Sequence, residues 1–265
     1  MKAGKTEKYI YETLDTKGAM LFSLIDPVDY KTPDEAVASA VASVEHGADL
    51  ILVGGSIGAQ GELLDYVSKR VKDNIGGTPL VLFPGNIATL TRYADAVYFM
   101  SLLNARNPYW IIQAQMLSAP IIKHLKLEPL PVGYIVVHPG GTVGWVGDAN
   151  MVPREKPKIA SALATAGEFL GNRLIITDAG SNPAMQGSGP IPPDIIREVK
   201  SAITVPYVVA GGITDNDKLR LAYKSGADIV QIGTAIETAG NVKSVIESFS
   251  KIAKEEGARK RRQTK

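Results

Sequence analysis

The chain contains no cysteine, which removes disulfide scaffolds, cysteine-ligated zinc or iron–sulfur centres and a thiol nucleophile from consideration. Charge of one sign is scarce too: 29 basic against 27 acidic side chains leave a formal net charge of +2. So weak a field does not favour nucleic acid, and no such partner is expected. No stretch reaches the roughly 18 uninterrupted apolar residues of a membrane span. The polar start, Met1 to Lys8, has no apolar signal segment behind it. A cytoplasmic protein with at most peripheral membrane contact is expected. Also missing are a Walker loop, a nucleophile elbow with its Ser-His-Asp set, and a lysine placed in a strand run for Schiff-base chemistry, which sets hydrolytic and P-loop chemistry back.

What the sequence does contain is repetition. Short apolar, β-rich runs recur at Met20 to Ile25, Leu50 to Val53, Leu80 to Phe83, Val97 to Leu102, Gly133 to Val137, Leu174 to Ile176, Tyr207 to Val209 and Ile229 to Ile232. Continuous runs of this length read as strands buried on both faces, as in a parallel sheet covered by helices. Helical patterns follow most of them, at Thr32 to Gly47, Glu62 to Asp73, Tyr109 to Lys123, Lys158 to Phe169, Pro193 to Ser201, Asp215 to Lys224 and Val242 to Glu256. The first opens on Thr32 as N-cap with Pro33 at the first helical position. Eight such units in 265 residues predict a single-domain (β/α)8 TIM barrel over residues 19–256. The rival, a doubly wound sheet, lacks a dinucleotide glycine fingerprint after the first strand. The third unit is irregular, with room only for a turn of helix around Ala88 to Tyr93. Residues 1–18 read as a helix packing on the barrel, since Tyr9, Ile10, Thr13 and Leu14 have helical spacing. Residues 257–265, with Arg259 to Arg262 all basic, read as a disordered tail. That tail is either simply solvated or weakly drawn to an anionic membrane.

In a barrel the chemistry lies at the C-terminal strand ends. Strand seven ends in Gly211-Gly212 and strand eight in Gly233-Thr234. Glycines there let backbone N–H groups approach an anion, which suggests a phosphate site, although tight turns also use them. Asp26 after strand one and Ser56 after strand two could share a hard cation such as Mg2+, and Asp26 before a proline is equally a turn residue. Asp178 at the end of strand six suits a general base or a hydroxyl-orienting carboxylate, or a structural acceptor for loop N–H groups. His138 has no second His or carboxylate nearby and is read as a satisfied core histidine. The segment Tyr98 to Asn104 and the helix Tyr109 to Leu117 are unusually apolar, the helix on more than one face, so it packs on another subunit, lines an apolar groove, or both.

Taken in order, Leu24 to Pro27, Gly54 to Ser56, Phe99 to Trp110, Gly133 to Ala149, Asp178 to Ser181, Ala210 to Ile213 and Ile232 to Thr234 resemble the geranylgeranylglyceryl phosphate synthase family, archaeal ether-lipid prenyltransferases whose bacterial relatives are called PcrB. The resemblance implies a Mg2+-dependent transfer of a geranylgeranyl group from geranylgeranyl diphosphate to the 3-hydroxyl of sn-glycerol 1-phosphate. It places the metal on Asp26 and Ser56. It places glycerol phosphate on Ile176, Thr177, Asp178, Ala179, Gly180, Ser181 and Asn182, on Gly211 and Gly212, and on Gly233 and Thr234. Asp178 takes the catalytic role, and Tyr98, Met100 and Trp110 are expected along the prenyl groove. Ile176 stands where the family has Tyr, so a hydroxyl at that point is absent or moved, and Asp178 is one methylene shorter than the usual Glu. The Phe99 to Trp110 stretch resembles the oligomer-forming branch, implying a homo-oligomer of two or more subunits, up to a hexamer. A phosphosugar isomerase or lyase on the same barrel, or a non-catalytic phosphate-ligand-binding assembly subunit, stays open as an alternative.

Overall fold

The computed structural model describes residues 2–263. Eight parallel strands close in chain order into a barrel: β1 (Met20–Ile25), β2 (Leu50–Gly55), β3 (Leu80–Pro84), β4 (Ala96–Leu102), β5 (Glu128–Val136), β6 (Leu174–Asp178), β7 (Tyr207–Ala210) and β8 (Ile229–Ile232). The helices in chain order are α1 (Lys5–Lys17), α2 (Pro33–Glu45), α3 (Gly61–Asn74), α4 (Gln113–Leu125), α5 (Gly141–Val146), α6 (Pro157–Phe169), α7 (Pro193–Ala202), α8 (Asn216–Ser225), α9 (Thr234–Glu237) and α10 (Val242–Gln263). The expected (β/α)8 class is what forms.

Strand alternation divides the apolar residues into two cores. Met20, Phe22, Leu50, Leu52, Val132 and Ile176 fill the barrel interior, whereas Ile51, Val53, Leu82, Ile135 and Ile175 pack outward against the helices. Both faces being buried is why the runs read as continuously apolar. Ile10 of α1 joins the interior core, so this helix covers the N-terminal end of the barrel. Its own first turn is held from afar: the Glu128 carboxylate accepts from the N–H groups of Thr6 at 2.8 Å and Glu7 at 2.9 Å, satisfying helix-end donors with a favourable negative charge. That role also explains why β5 begins at a polar residue, five positions before the apolar run at Gly133.

Three sequence expectations give way. Between β3 and β4 only turns and bends occur, with no helix around Ala88 to Tyr93. The pattern expected to be helical from Tyr109 starts as a 3-10 turn, Pro108–Trp110, with Asn107 accepting from the Tyr109 N–H at 2.9 Å; the α-helix proper begins at Gln113. At the C-terminus α10 runs on to Gln263. Its basic residues are engaged: Arg259 with Glu256 at 2.7 Å, Lys260 with Asp228 at 3.3 Å, and Arg261 with the Thr16 carbonyl. Asp228 and the Thr16 carbonyl, both remote in sequence, hold residues 257–263 in the helix, and residues 264 and 265 of the expected tail lie outside the described ones.

Candidate active site

β3 and β4 are in register over only two pairs, Val81 with Ala96 and Leu82 with Val97, whereas β4 and β5 share seven. With no helix bridging β3 to β4, the barrel wall is open along the upper half of β4. A cavity of about 410 Å³ at the C-terminal end of the barrel uses this opening. It touches the inward side chains of β4, Tyr98 and Met100, and also the outward Phe99. Beyond the seam Trp110, Ala114, Ser118 and Ile122 form its apolar arm. The inner face of α4 therefore lines the cavity, while Met116, Leu117 and Ile121 of the same helix, with Ile112 at its N-cap, are exposed. This division accounts for a helix that is apolar on more than one side.

At the polar end sits Asp178, 7% exposed. Tyr134 Oη donates to its Oδ2 at 2.6 Å and the Gly180 N–H donates to its Oδ1 at 2.6 Å. Burial raises the carboxyl above the usual range, and these two donors oppose the rise. Gly211 must come close: a Cβ there would lie 2.7 Å from Asp178 Oδ1. Gly211 and Gly212 adopt φ of +84° and +76°, a left-handed pair whose N–H groups, with that of Gly233, donate to no backbone carbonyl among the described residues. Successive amides turned outward in this way form an anion cradle.

Asp26 and Glu237 face the same cavity. Burial raises each carboxyl to about 7, with repulsion from Asp29 adding to both. The Asp26 side chain accepts from the Val28 N–H at 3.3 Å, so the turn role and a ligand role coexist. Among the described residues no three His, Cys, Asp or Glu side chains form a metal-holding group. Asp26 with the Ser56 hydroxyl is thus a thin, all-oxygen donor set. That suits Mg2+, which commonly takes one or two carboxylates and fills its remaining positions with water and phosphate oxygens.

The structure gathers Asp26, Ser56, Asp178, Gly180, Ser181, Gly211, Gly212, Gly233 and Thr234 around one cavity, with Tyr98, Met100 and Trp110 along it. Four expected residues do not line it. Ile176 points inward but lies below Asp178 in the interior core. Thr177 points outward, and its hydroxyl is 2.6 Å from Tyr207 Oη. Ala179 is spent on backbone bonds to Ala210 and Gly140, and Asn182 turns the chain at φ +45° into a 3-10 turn. His138, expected in the core, is exposed because it lies in the turn two residues beyond the end of β5.

Among the cavity residues that escaped the sequence reading are Glu237, Tyr134 and Gln231. Tyr134 pairs with Ile176 across β5 and β6; strand parity would have turned it inward, and it supplies from the next strand a phenol that Ile176 lacks. Gln231 is the only polar residue of β8, which was its one signal.

The profile of the PcrB family matches residues 14–252. Geranylgeranylglyceryl phosphate synthase of Pyrococcus horikoshii is 50% identical over 239 residues, covering 90% of this chain and 91% of the relative. Its namesake in Thermococcus kodakarensis is 47% identical over 252 residues, covering 95% and 97%. The crystal structure of (S)-3-O-geranylgeranylglyceryl phosphate synthase from Thermoplasma acidophilum, in complex with its substrate sn-glycerol-1-phosphate, superposes with a TM-score of 0.89 at 30% identity. The match covers 96% of this chain and all of that one.

Proposed function

Because the chain belongs to the PcrB family, we propose that it is a prenyltransferase, moving a geranylgeranyl group from geranylgeranyl diphosphate to the 3-hydroxyl of sn-glycerol 1-phosphate in ether-lipid synthesis. One observation carries the reading: a single cavity joins a buried carboxylate and a two-glycine anion cradle to an apolar arm that leaves through the β3–β4 seam. A phosphosugar isomerase has no use for that arm.

The acceptor's phosphate lies on the cradle of Gly211 and Gly212, with Gly233 and Thr234 beside it, and its glycerol end reaches down toward Asp178. Asp178, aimed by Tyr134 and Gly180, accepts the hydrogen bond of the attacking hydroxyl and fixes it near the allylic carbon. Its raised pKa suits it to hold a proton as the C–O bond forms. The apolar arm buries the prenyl tail, at ~0.8 kcal/mol per CH2 group before other costs, and keeps water from the reacting carbon. Asp26 and Ser56 would hold Mg2+, whose charge stabilises the departing diphosphate. The exposed apolar stripe of α4, Ile112 to Ile121, is the surface through which the chain forms a homo-oligomer, a dimer or larger. Among the described residues no helix is long and apolar enough to cross a membrane, and we place the protein in the cytoplasm.

The test incubates the protein with labelled geranylgeranyl diphosphate, sn-glycerol 1-phosphate and Mg2+. An acid-stable lipid product, lost when Mg2+ is chelated, is expected. Absence of product with both substrates bound would overturn the reading.

A further inference from the structure

We propose that Gln231 is a specificity residue for the acceptor, its terminal amide holding the second hydroxyl of the glycerol phosphate; this rests on the transferase reading above. Gln231 faces the barrel interior in line with Ile229 and is 3% exposed. It lines the cavity, and its Oε1 has no hydrogen-bond partner. A buried amide carbonyl left unpaired costs free energy that a ligand's donor recovers.

The neighbours explain why the protein supplies no donor. In the ladder Gln231 stands between Ala210 of β7 and Phe22 of β1, and neither side chain has one. Beyond Ala210 stands Asp178 of β6, two strand spacings away, or about 10 Å between backbones. The side chain of Ala210 ends at Cβ, so the space between carboxylate and amide stays open. The cradle of Gly211 and Gly212 begins one residue above it in sequence and in space.

A three-carbon phosphate ester with its phosphate on that cradle brings two hydroxyls to this level. The terminal one belongs to Asp178, the group placed to orient the nucleophile. The adjacent one falls to Gln231, and because a hydroxyl both donates and accepts it suits either atom of the amide. Asp178 alone would admit any phosphorylated primary alcohol. The amide on the opposite wall makes the site demand a neighbouring hydroxyl, and a ligand without one leaves that amide unpaired.

The experiment compares sn-glycerol 1-phosphate with 3-hydroxypropyl phosphate, which keeps the phosphate and the reacting hydroxyl but lacks the second. Calorimetric binding and turnover are measured on the parent, Gln231→Leu and Gln231→Met. The parent should favour sn-glycerol 1-phosphate by roughly 10- to 100-fold. Both variants should lose most of that preference and keep the parent's KM for the prenyl diphosphate. Unchanged discrimination in the variants overturns the assignment. Thermal melts give a second check: removing an unpaired amide for an apolar group of similar size should leave the ligand-free Tm level or higher. A lower Tm in both variants means that the fold itself satisfies the amide, which also overturns it. If the parent binds with the expected discrimination but makes no prenyl product, the transferase reading fails while the Gln231 assignment stands.

Discussion

Replacing Gly55 by alanine should silence the enzyme without unfolding it. A Cβ built on Gly55 would sit 1.9 Å from Asp26 Oδ2, 2.3 Å from its Cγ and 2.5 Å from its Oδ1. Real carbon–oxygen contacts are far longer, so the Asp26 carboxylate must retreat by more than about 1 Å, a shift that near-ideal Mg2+ coordination does not tolerate. A misplacement of that size costs roughly 100-fold in rate, or ~2.7 kcal/mol of transition-state stabilisation. Folding should suffer little, because the atoms in the way are the free end of a side chain. The loss is one Asp26 hydrogen bond to the Val28 N–H, worth ~1 kcal/mol. Gly54 is the built-in contrast. Its Cβ would lie 1.9 Å from the Phe83 carbonyl, backbone of the β2–β3 ladder, so Gly54→Ala should fail to fold. The assay pairs thermal melts followed by circular dichroism with prenyl transfer measured over a Mg2+ titration. A Gly55→Ala protein that melts like the parent and retains turnover within about threefold at low Mg2+ would refute the placement of the metal on Asp26.

Tyr134→Phe removes a donor from the Asp178 carboxylate. It should lower kcat roughly tenfold and move the acid limb of the pH–rate profile upward, because that bond holds the carboxyl's pKa down; an unmoved limb would exclude the aiming role. Trp110→Ala should shift donor preference toward chains longer than 20 carbons, read by competition between diphosphates. Tyr98→Ala is a poorer probe, since Tyr98 is buried edge-on to Phe83 at 5.6 Å and its loss should cost about 3–5 kcal/mol of stability. The metal-free protein should lose stability as pH rises through 7. Asp26 and Glu237 are raised from 3.8 and 4.5 to about 7, so between those values the folded chain holds more protons than the unfolded one. Mg2+ added at pH 8 should restore much of the loss in Tm, and a Tm flat from pH 5 to 8 would refute this.

The eight strands were legible because burial on both faces leaves an uninterrupted apolar run, and the polar ends of those runs pointed to Asp26, Asp178, Gly211 and Gly233 without any contact being known. Such signals are local, written within a few residues of chain. What the sequence left undecided depends on groups that only closure of the barrel brings together. Ile176, Thr177 and Ala179 sit in the right motif, yet parity turns Thr177 and Ala179 outward and depth leaves the inward Ile176 below the cavity, which of this stretch of β6 only Asp178 reaches. The phenol aimed at Asp178 arrives from β5, 44 residues away. Gln231 acquires its meaning from Ala210 and Phe22 on either side of it. The C-terminal helix continues because Asp228 and the Thr16 carbonyl meet its cations, partners that no window of sequence around residue 260 contains. The apolar arm follows from β3 and β4 parting after two pairs, a matter of register. Burial and turn chemistry act along the chain and can be read there, whereas register, parity and remote pairing act across it and exist only once the barrel has closed.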